Sequence, residues 1–464
     1  MLTHIEIDGF KTFNKFSMDL QPFVAVLGAN ATGKSNLFDA IQFIRRLTEN
    51  NLNTAVQQAR GELEDLFRHR RDGSSVLTMR FVVEVLLEPR VRDPWGTEVD
   101  LTQSRLRYEL HVARREDADG NVRLFIDYES AAPVRRGAGD LVKRWGASKS
   151  FQSAYMRDGK RTSAFLETLQ DSARGRLFQI RQDGVQGRAR PAEAAEATVL
   201  SSMNSAEFKH LYALREEIVG WRFLQLEPQA LRQPGERFGE ERLLPDGSNL
   251  ARVLHRIQRE TATAERPEGI LADLSNDLSS LIPGISAVQV RENEQTKKWE
   301  ILVLSRDSGG HRADVASDGT LRVLALLVAL YDPKYRGLIC FEEPENGVHP
   351  LRLKRLVRYL RALVTDPSGS FDAAEPLAQV MINSHSPVVL SALPPSSAFF
   401  LDTAALLETF HTSEGPRRAK SYVSRMRRVV PIDQIPLVIT AGELPVGEPE
   451  VRRYKAAALL EDEE

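Results

Sequence analysis

The sequence is nearly devoid of cysteine, with Cys340 the only one in 464 residues. No disulfide can close within the chain, so a hydrophobic core must hold the fold, and a reducing cytoplasm is the expected setting. Long apolar runs are missing as well. A spanning helix needs ~20 such residues, and the longest run, Val323 to Leu330, reads as a core helix. The opening Met-Leu-Thr-His-Ile-Glu-Ile alternates like a strand and has no charged-then-apolar leader pattern. Neither sign of charge is in excess: 62 Lys and Arg face 64 Asp and Glu, a formal net charge of −2. That balance excludes a generally basic protein that coats nucleic acid and leaves any such contact to local patches. Sustained heptads and internal repeats are also absent, which excludes a long coiled-coil arm.

What remains is ordinary globular material, 42% hydrophobic and 27% charged, with chain enough for two or three domains. Up to about Ser130 the pattern is mainly strands, at Leu2 to Ile7, Val24 to Leu27, Val76 to Leu87, Leu106 to Val112 and Val122 to Tyr128. From 131 to 284 the chain turns richer in Ala, Arg, Gln and Glu. A mostly helical insert is expected there, with helices such as Ala206 to Val219 and Asn249 to Arg259. Three passages read as loops: Ala132 to Gly139, Gln182 to Pro191 and Gln233 to Gly239. Strand-helix alternation returns over 285–464. Val288 to Val290 and Trp299 to Leu304 read as a strand pair, Gly337 to Phe341, Ala378 to Asn383 and Ser397 to Leu401 as strands, and Leu321 to Tyr331 and Leu351 to Val364 as helices. Such alternation implies an α/β fold with a mainly parallel sheet, which binds ligands at the carboxyl ends of its strands.

Four segments carry chemistry. Gly28-Ala29-Asn30-Ala31-Thr32-Gly33-Lys34-Ser35 fits the G-x-x-x-x-G-K-[ST] pattern, between an apolar strand-like run and a helix-like one. Its backbone N–H groups can cradle phosphates, Lys34 can reach the β/γ oxygens, and the Ser35 hydroxyl can bind Mg²⁺. The apolar run Gly337 to Phe341 delivers Glu342 and Glu343 at a strand tip. One carboxylate there suits Mg²⁺, and its neighbour suits the attacking water. Ser317-Asp318-Gly319-Thr320 begins a helix, with Ser317 or Thr320 as cap and Gly319 allowing close backbone approach. One subunit already has a helix terminus for the phosphates, so a second would serve ATP held by another copy. His385 follows another apolar strand, where an imidazole can meet a γ-phosphate or the attacking water.

The order Gly-x-Asn-x-x-Gly-Lys-Ser-Asn, Ser-Asp-Gly-Thr-Leu-Arg, Glu-Glu-Pro-Glu-Asn-Gly-x-His-Pro and Asn-Ser-His-Ser-Pro resembles the ABC-type ATPase heads of the SMC/RecF/OLD group, and within it the RecF-like AAA-family (AAA_21-type) ATPases. Ile7-Asp-Gly-Phe-Lys-Thr-Phe13 and Asp246-Gly-Ser-Asn-Leu-Ala251 add to the likeness, which spans 1 to about 130 and 285 to 400. The resemblance implies a P-loop NTPase of ABC-head type, a mainly parallel sheet plus an antiparallel β lobe, split as 1–130 and 285–464 around the insert. It implies that Gly28 to Ser35 is the Walker A loop, followed by Asn36, and that Ser317, Asp318 and Gly319 form the signature. Glu342 becomes the metal-side carboxylate, Glu343 the catalytic base, Glu345 to Gly347 the D-loop and His385 the switch histidine. Two heads would sandwich two ATP molecules in a homodimer. The signature reads Ser-Asp-Gly-Thr where transporters carry Ser-Gly-Gly-Gln, and Glu342 stands where Asp is commoner, both usual in the RecF-like subgroup. No glutamine is assigned to the metal-sensing position between the lobes; Gln179, Gln182 and Gln186 fit it poorly.

Three functions follow from the resemblance. The first is a Mg-dependent ATPase that clamps DNA in repair, maintenance or anti-phage defence, supported by the basic clusters Arg68 to Arg71, Arg174 to Arg190 and Arg417 to Arg428. The second is a regulatory ATPase that holds and releases a separately encoded effector, for example a nuclease. The third, disfavoured by the insert and the signature, is a transporter's ATPase subunit.

Overall fold

Five short strands, Arg222–Leu224, Gly337–Glu342, Ala378–Ser384, Phe23–Leu27 and the start of Ala398–Thr412, lie side by side in that order and pair in parallel. Gly415–Arg428 completes this sheet as the antiparallel partner of Ala398–Thr412. The computed structural model describes residues 1–116, 121–134, 141–306, 309–334, 337–371, 376–412, 415–429, 445–447 and 450–452. Successive side chains of a strand point to opposite faces. Accordingly Val24, Val26, Leu338, Cys340 and Met381 enter one core, while Ala25, Leu27, Ile339, Phe341 and Ile382 enter another. Cover on both faces is why these runs are continuously apolar.

The first core is closed by helix Lys34–Glu49, through Leu37, Ile41, Ile44 and Leu47, and by an eight-stranded antiparallel sheet. That sheet runs Val185–Pro191, Gly175–Gln182, Leu166–Asp171, Val122–Pro133, Arg105–Glu116, Thr78–Leu86, Leu2–Asp8, Phe16–Asp19. The second core is closed by helices Leu250–Thr261, Leu271–Leu281, Asp318–Tyr331 and Pro350–Leu363. A three-stranded sheet, Ile285–Glu292, Trp299–Ser305 and Gly309–Arg312, packs beside them. The parallel sheet and the antiparallel lobe therefore both match expectation, and helix Lys34–Glu49 is the layer they share.

The segment 131–284 is less helical than its composition suggests. It supplies three strands that extend the antiparallel sheet and the edge strand Arg222–Leu224 of the parallel one, alongside helices Lys209–Val219, Leu250–Thr261 and Leu271–Leu281. Gln182 to Pro191 is correspondingly a hairpin arm and not a loop: Gln182 pairs with Val185 across Asp183-Gly184, with Gly184 at φ 78°. Asp-Gly is a favoured two-residue turn for that geometry. The strand is hidden in the sequence because Val185–Pro191 is an exposed edge, so no apolar alternation marks it. Gln233 to Gly239 is irregular, as expected. The loop read at Ala132 to Gly139 falls largely on 135–140, outside the described residues.

Candidate active site

Phe23–Leu27 ends at Gly28, and helix Lys34–Glu49 begins after Gly33, whose φ of 99° suits glycine. No side chain caps this helix and its first turn holds no acidic residue, so its leading N–H groups are left for an anion. Lys34 is buried and its Nζ donates to the carbonyls of Gly28 (2.7 Å) and Ala29 (2.8 Å). Burial lowers its pKa, while the charges of Glu343 and Glu345 pull the other way. Thr32 Oγ1 donates to the Ala29 carbonyl (2.9 Å), and Ala31 takes φ 62° at the loop tip. Asn36 Nδ2 donates to Thr12 Oγ1 at 3.0 Å.

Glu342 is the last residue of its strand. Burial raises its carboxyl pKa, and the neighbouring charges of Asp39 and Glu343 add to the rise. Three carboxylates crowded this way lower their mutual repulsion if a cation joins them. Among the described residues no set of His, Cys, Asp and Glu forms a self-contained metal site. A strand-tip carboxylate and a hydroxyl are oxygen donors of the kind Mg²⁺ takes, an ion that keeps waters and substrate phosphates and needs only one or two protein ligands. Ser35 and Glu342 would be those ligands.

Glu343 sits in the left-handed region at φ 49°, uncommon for a residue with a side chain. Its N–H donates to both oxygens of Asn383, the carbonyl at 3.2 Å and Oδ1 at 2.9 Å, and its Oε2 accepts from Asn346 Nδ2 at 2.8 Å. Strain at such a position persists only where surrounding bonds enforce it, which Asn383 does. Glu345 Oε1 accepts from Ser384 Oγ (2.7 Å) and the His385 N–H (2.9 Å), and lies 3.3 Å from His385 Nδ1. Glu343 Oε1 lies 3.9 Å from the same nitrogen. Lys34, Glu342, Glu343, Glu345 and His385 therefore converge from three strand ends.

The signature segment packs on the loop that carries Glu345. Ser317 caps helix Asp318–Tyr331 by accepting from the Thr320 N–H (3.2 Å), and Asp318 pairs with Arg232 (2.6 Å). Among the described residues, no recorded hydrogen bond or ion pair joins Ser317, Asp318 or Gly319 to the phosphate loop. Gly319 presses on the D-loop instead: a Cβ there would lie closer than 3.0 Å to the Gly347 carbonyl oxygen. Gly319→Ala must displace the backbone that carries Glu345. We expect turnover to fall at least ~10-fold, the scale of an ångström-sized misplacement. Steady-state phosphate release beside a nucleotide-binding titration checks this, since binding at the intact loop should persist.

Sequence reasoning missed Gln225. It is exposed just past Arg222–Leu224, in a cleft of about 340 Å³ that it shares with Glu342, Asp39 and Arg60. The signal was a three-residue strand, Arg222-Phe-Leu224, too short to read by period. Asn383 and Ser384 were also without assigned roles, because polar residues near a strand tip read as turn chemistry.

A family model described as "AAA domain, putative AbiEii toxin, Type IV TA system" matches residues 23–136 and 188–391, more than half of the chain. No curated protein matches. Among solved structures, the Smc head bound to the C-winged helix domain of ScpA is 13% identical, covers 90% of this chain and 98% of its own, and aligns with a TM-score of 0.46. An Smc head with an extended coiled coil bound to the C-terminal domain of ScpA, from Pyrococcus furiosus, is 12% identical over 90% and 96%, at a TM-score of 0.41. The SMC head domain from Thermotoga maritima is 12% identical over 92% and 99%, at 0.36. The phosphate loop, the paired strand-tip carboxylates and the matched model agree: the chain belongs to this AAA-domain family of nucleotide-binding ATPases.

Proposed function

We propose that the chain is a Mg²⁺-dependent ATPase head that dimerises on ATP, each protomer's Ser317–Gly319 completing its partner's site, and that the closed dimer clamps DNA in maintenance, repair or defence. The observation that supports the dimer is the set of contacts of Ser317, Asp318 and Gly319, which are with Thr320, Arg232 and Gly347 and, among the described residues, include no recorded hydrogen bond to the phosphate loop. Glu343 lies within electrostatic reach of Lys34 and 3.9 Å from His385, while Ser317 and Asp318 make their bonds elsewhere, with Thr320 and Arg232.

In this reading Lys34 exchanges the Gly28 and Ala29 carbonyls for β/γ-phosphate oxygens as the loop N–H groups take the remainder. Ser35 and Glu342 would hold Mg²⁺, which when bound would supply charge neutralisation for the phosphates, and Gln225 shares the cleft with Glu342. Glu343 leaves Asn346 to orient the attacking water and take its proton. His385, braced by Glu345, donates to the γ-phosphate. Catalysis is then positioning plus electrostatics, and the lone protomer lacks one wall.

The basic clusters bear on the DNA half. Arg68 and Arg70 both pair with Glu408, Arg425 and Arg427 with Asp402, and Arg428 with Asp19. Arg176 pairs with Asp127, Arg181 with Glu167 and Arg188 with Glu207. Most of the charge counted along the sequence is spent internally, so DNA affinity should carry a shallow salt dependence, a log–log slope of about −2 to −4 for two to four phosphates. The same neutralisation favours a second reading, an ATPase that holds a separate effector protein. Large exposed apolar side chains, Trp95, Phe238 and Leu407 among them, suit a protein partner.

Light scattering on Glu343→Gln with and without ATP tests the core of the proposal. A doubling of mass with ATP but not ADP is expected; a monomer at saturating ATP refutes the sandwich. Filter binding of duplex DNA across a salt series then separates the two readings, because a partner-holding ATPase gains no DNA affinity from ATP.

A further inference from the structure

The back of the phosphate loop rests on residues from the far end of the chain. Ser424, in strand Gly415–Arg428 and only 4% exposed, has its Oγ 2.7 Å from the Thr32 carbonyl and 2.7 Å from Thr12 Oγ1. Asn36 Nδ2 donates to Thr12 Oγ1 at 3.0 Å, and the Ser424 N–H donates to the Thr12 carbonyl at 2.9 Å. The direction of this chain follows from proton counting. A carbonyl only accepts, so the single hydroxyl proton of Ser424 goes to Thr32. Thr12 must then donate its proton to Ser424, and Asn36 must present its NH₂ to Thr12. Every bond in the series Asn36, Thr12, Ser424, Thr32 points one way, an arrangement in which each bond polarises the next.

The same hairpin presses on both glycines of the loop. A Cβ on Gly33 would lie closer than 3.0 Å to Ser424 Oγ, and one on Gly28 closer than 3.0 Å to the Leu401 carbonyl oxygen. The left-handed φ of 99° at Gly33, which turns the loop into its helix, is therefore seated directly on the Thr12–Ser424 hydroxyl pair.

We propose that Ser424 and Thr12 are positioning residues for nucleotide binding: their directed hydroxyl chain, anchored by Asn36, holds Thr32 and Gly33 in the conformation that aims the loop's N–H groups at the phosphates. Ser424 touches no reacting atom. This rests on the reading that Gly28–Ser35 receives ATP, and it adds that the loop's geometry is imposed by the hairpin Ala398–Thr412/Gly415–Arg428.

The test uses the full chain, a fluorescent ATP analogue for affinity and phosphate release for turnover. Ser424→Ala and Thr12→Val, the second nearly isosteric, should each weaken nucleotide affinity and raise KM about three- to tenfold, the scale of one or two lost hydrogen bonds, with kcat at saturating ATP within twofold. The double variant should lose no more than the worse single one, because breaking either link empties the chain. Thr12→Ser, which keeps the hydroxyl, should bind like the parent and guards against a variant that simply misfolds. Hydroxyl-free variants that bind as the parent does, a fall in kcat at unchanged KM, or losses that multiply in the double variant would each overturn the proposal. A parent chain that binds no ATP would sink the reading of the loop itself, and this inference with it.

Discussion

Glu343→Gln should bind ATP at least as tightly as the parent and turn it over some 10²- to 10⁴-fold more slowly, the usual contribution of a positioned general base. The substitution is nearly isosteric, and glutamine suffers the left-handed backbone at φ 49° no more than glutamate does. Both N–H bonds to Asn383 survive it, and so can the bond from Asn346, since a carboxamide oxygen still accepts. What disappears is the capacity to take a proton and one negative charge beside Glu342. Losing that charge eases the crowding which raises the Glu342 pKa, and this favours entry of a polyanion. Single-turnover phosphate release and an equilibrium titration measure the two quantities separately. A variant that hydrolyses within tenfold of the parent would remove Glu343 from the role of base.

Lys34→Ala should act on the other quantity, weakening ATP binding by roughly 10²-fold or more, as expected for loss of two charge-assisted bonds at ~1.5–3 kcal/mol each. Lys34 is 7% exposed and tethered to the Gly28 and Ala29 carbonyls, so the ammonium is held at the loop before any ligand arrives. Its removal also leaves Glu343 and Glu345 without their nearby cation, which repels the incoming phosphates further. Isothermal titration of the variant against the parent decides it. A Kd within threefold of the parent's would mean that Gly28–Ser35 is not the phosphate site.

How much of this could be read beforehand divides by the range of the interaction. The phosphate loop and the acid pair were legible because each is local: a strand, a turn and a helix start, encoded in consecutive residues. Glu345 was placed only through the resemblance, as part of the D-loop, since its bonds to Ser384 and His385 cross from one strand end to the next. Gln225 follows a strand of three residues, and a period of two cannot be seen in three positions. The hairpin Ala398–Thr412/Gly415–Arg428 was read as a short strand and then a basic patch. In the fold its Arg425, Arg427 and Arg428 meet Asp402, Glu450 and Asp19, while its Glu408 takes Arg68 and Arg70 from another part of the chain. Charge counted along a sequence cannot reveal which carboxylates will stand opposite it.

The seating of Gly28 on Leu401 and of Gly33 on Ser424 also orders events in time. A ribosome adding ~5–20 residues per second reaches Ser424 on the order of 20 s or more after it has passed Gly33. Thr12 and Ser424, 412 positions apart, must then find one another across a closure that is costly in chain entropy. Through that interval the loop's sequence is present without the surface that shapes it. If the hairpin shapes the loop as proposed, competence for nucleotide should be among the last properties a nascent chain acquires.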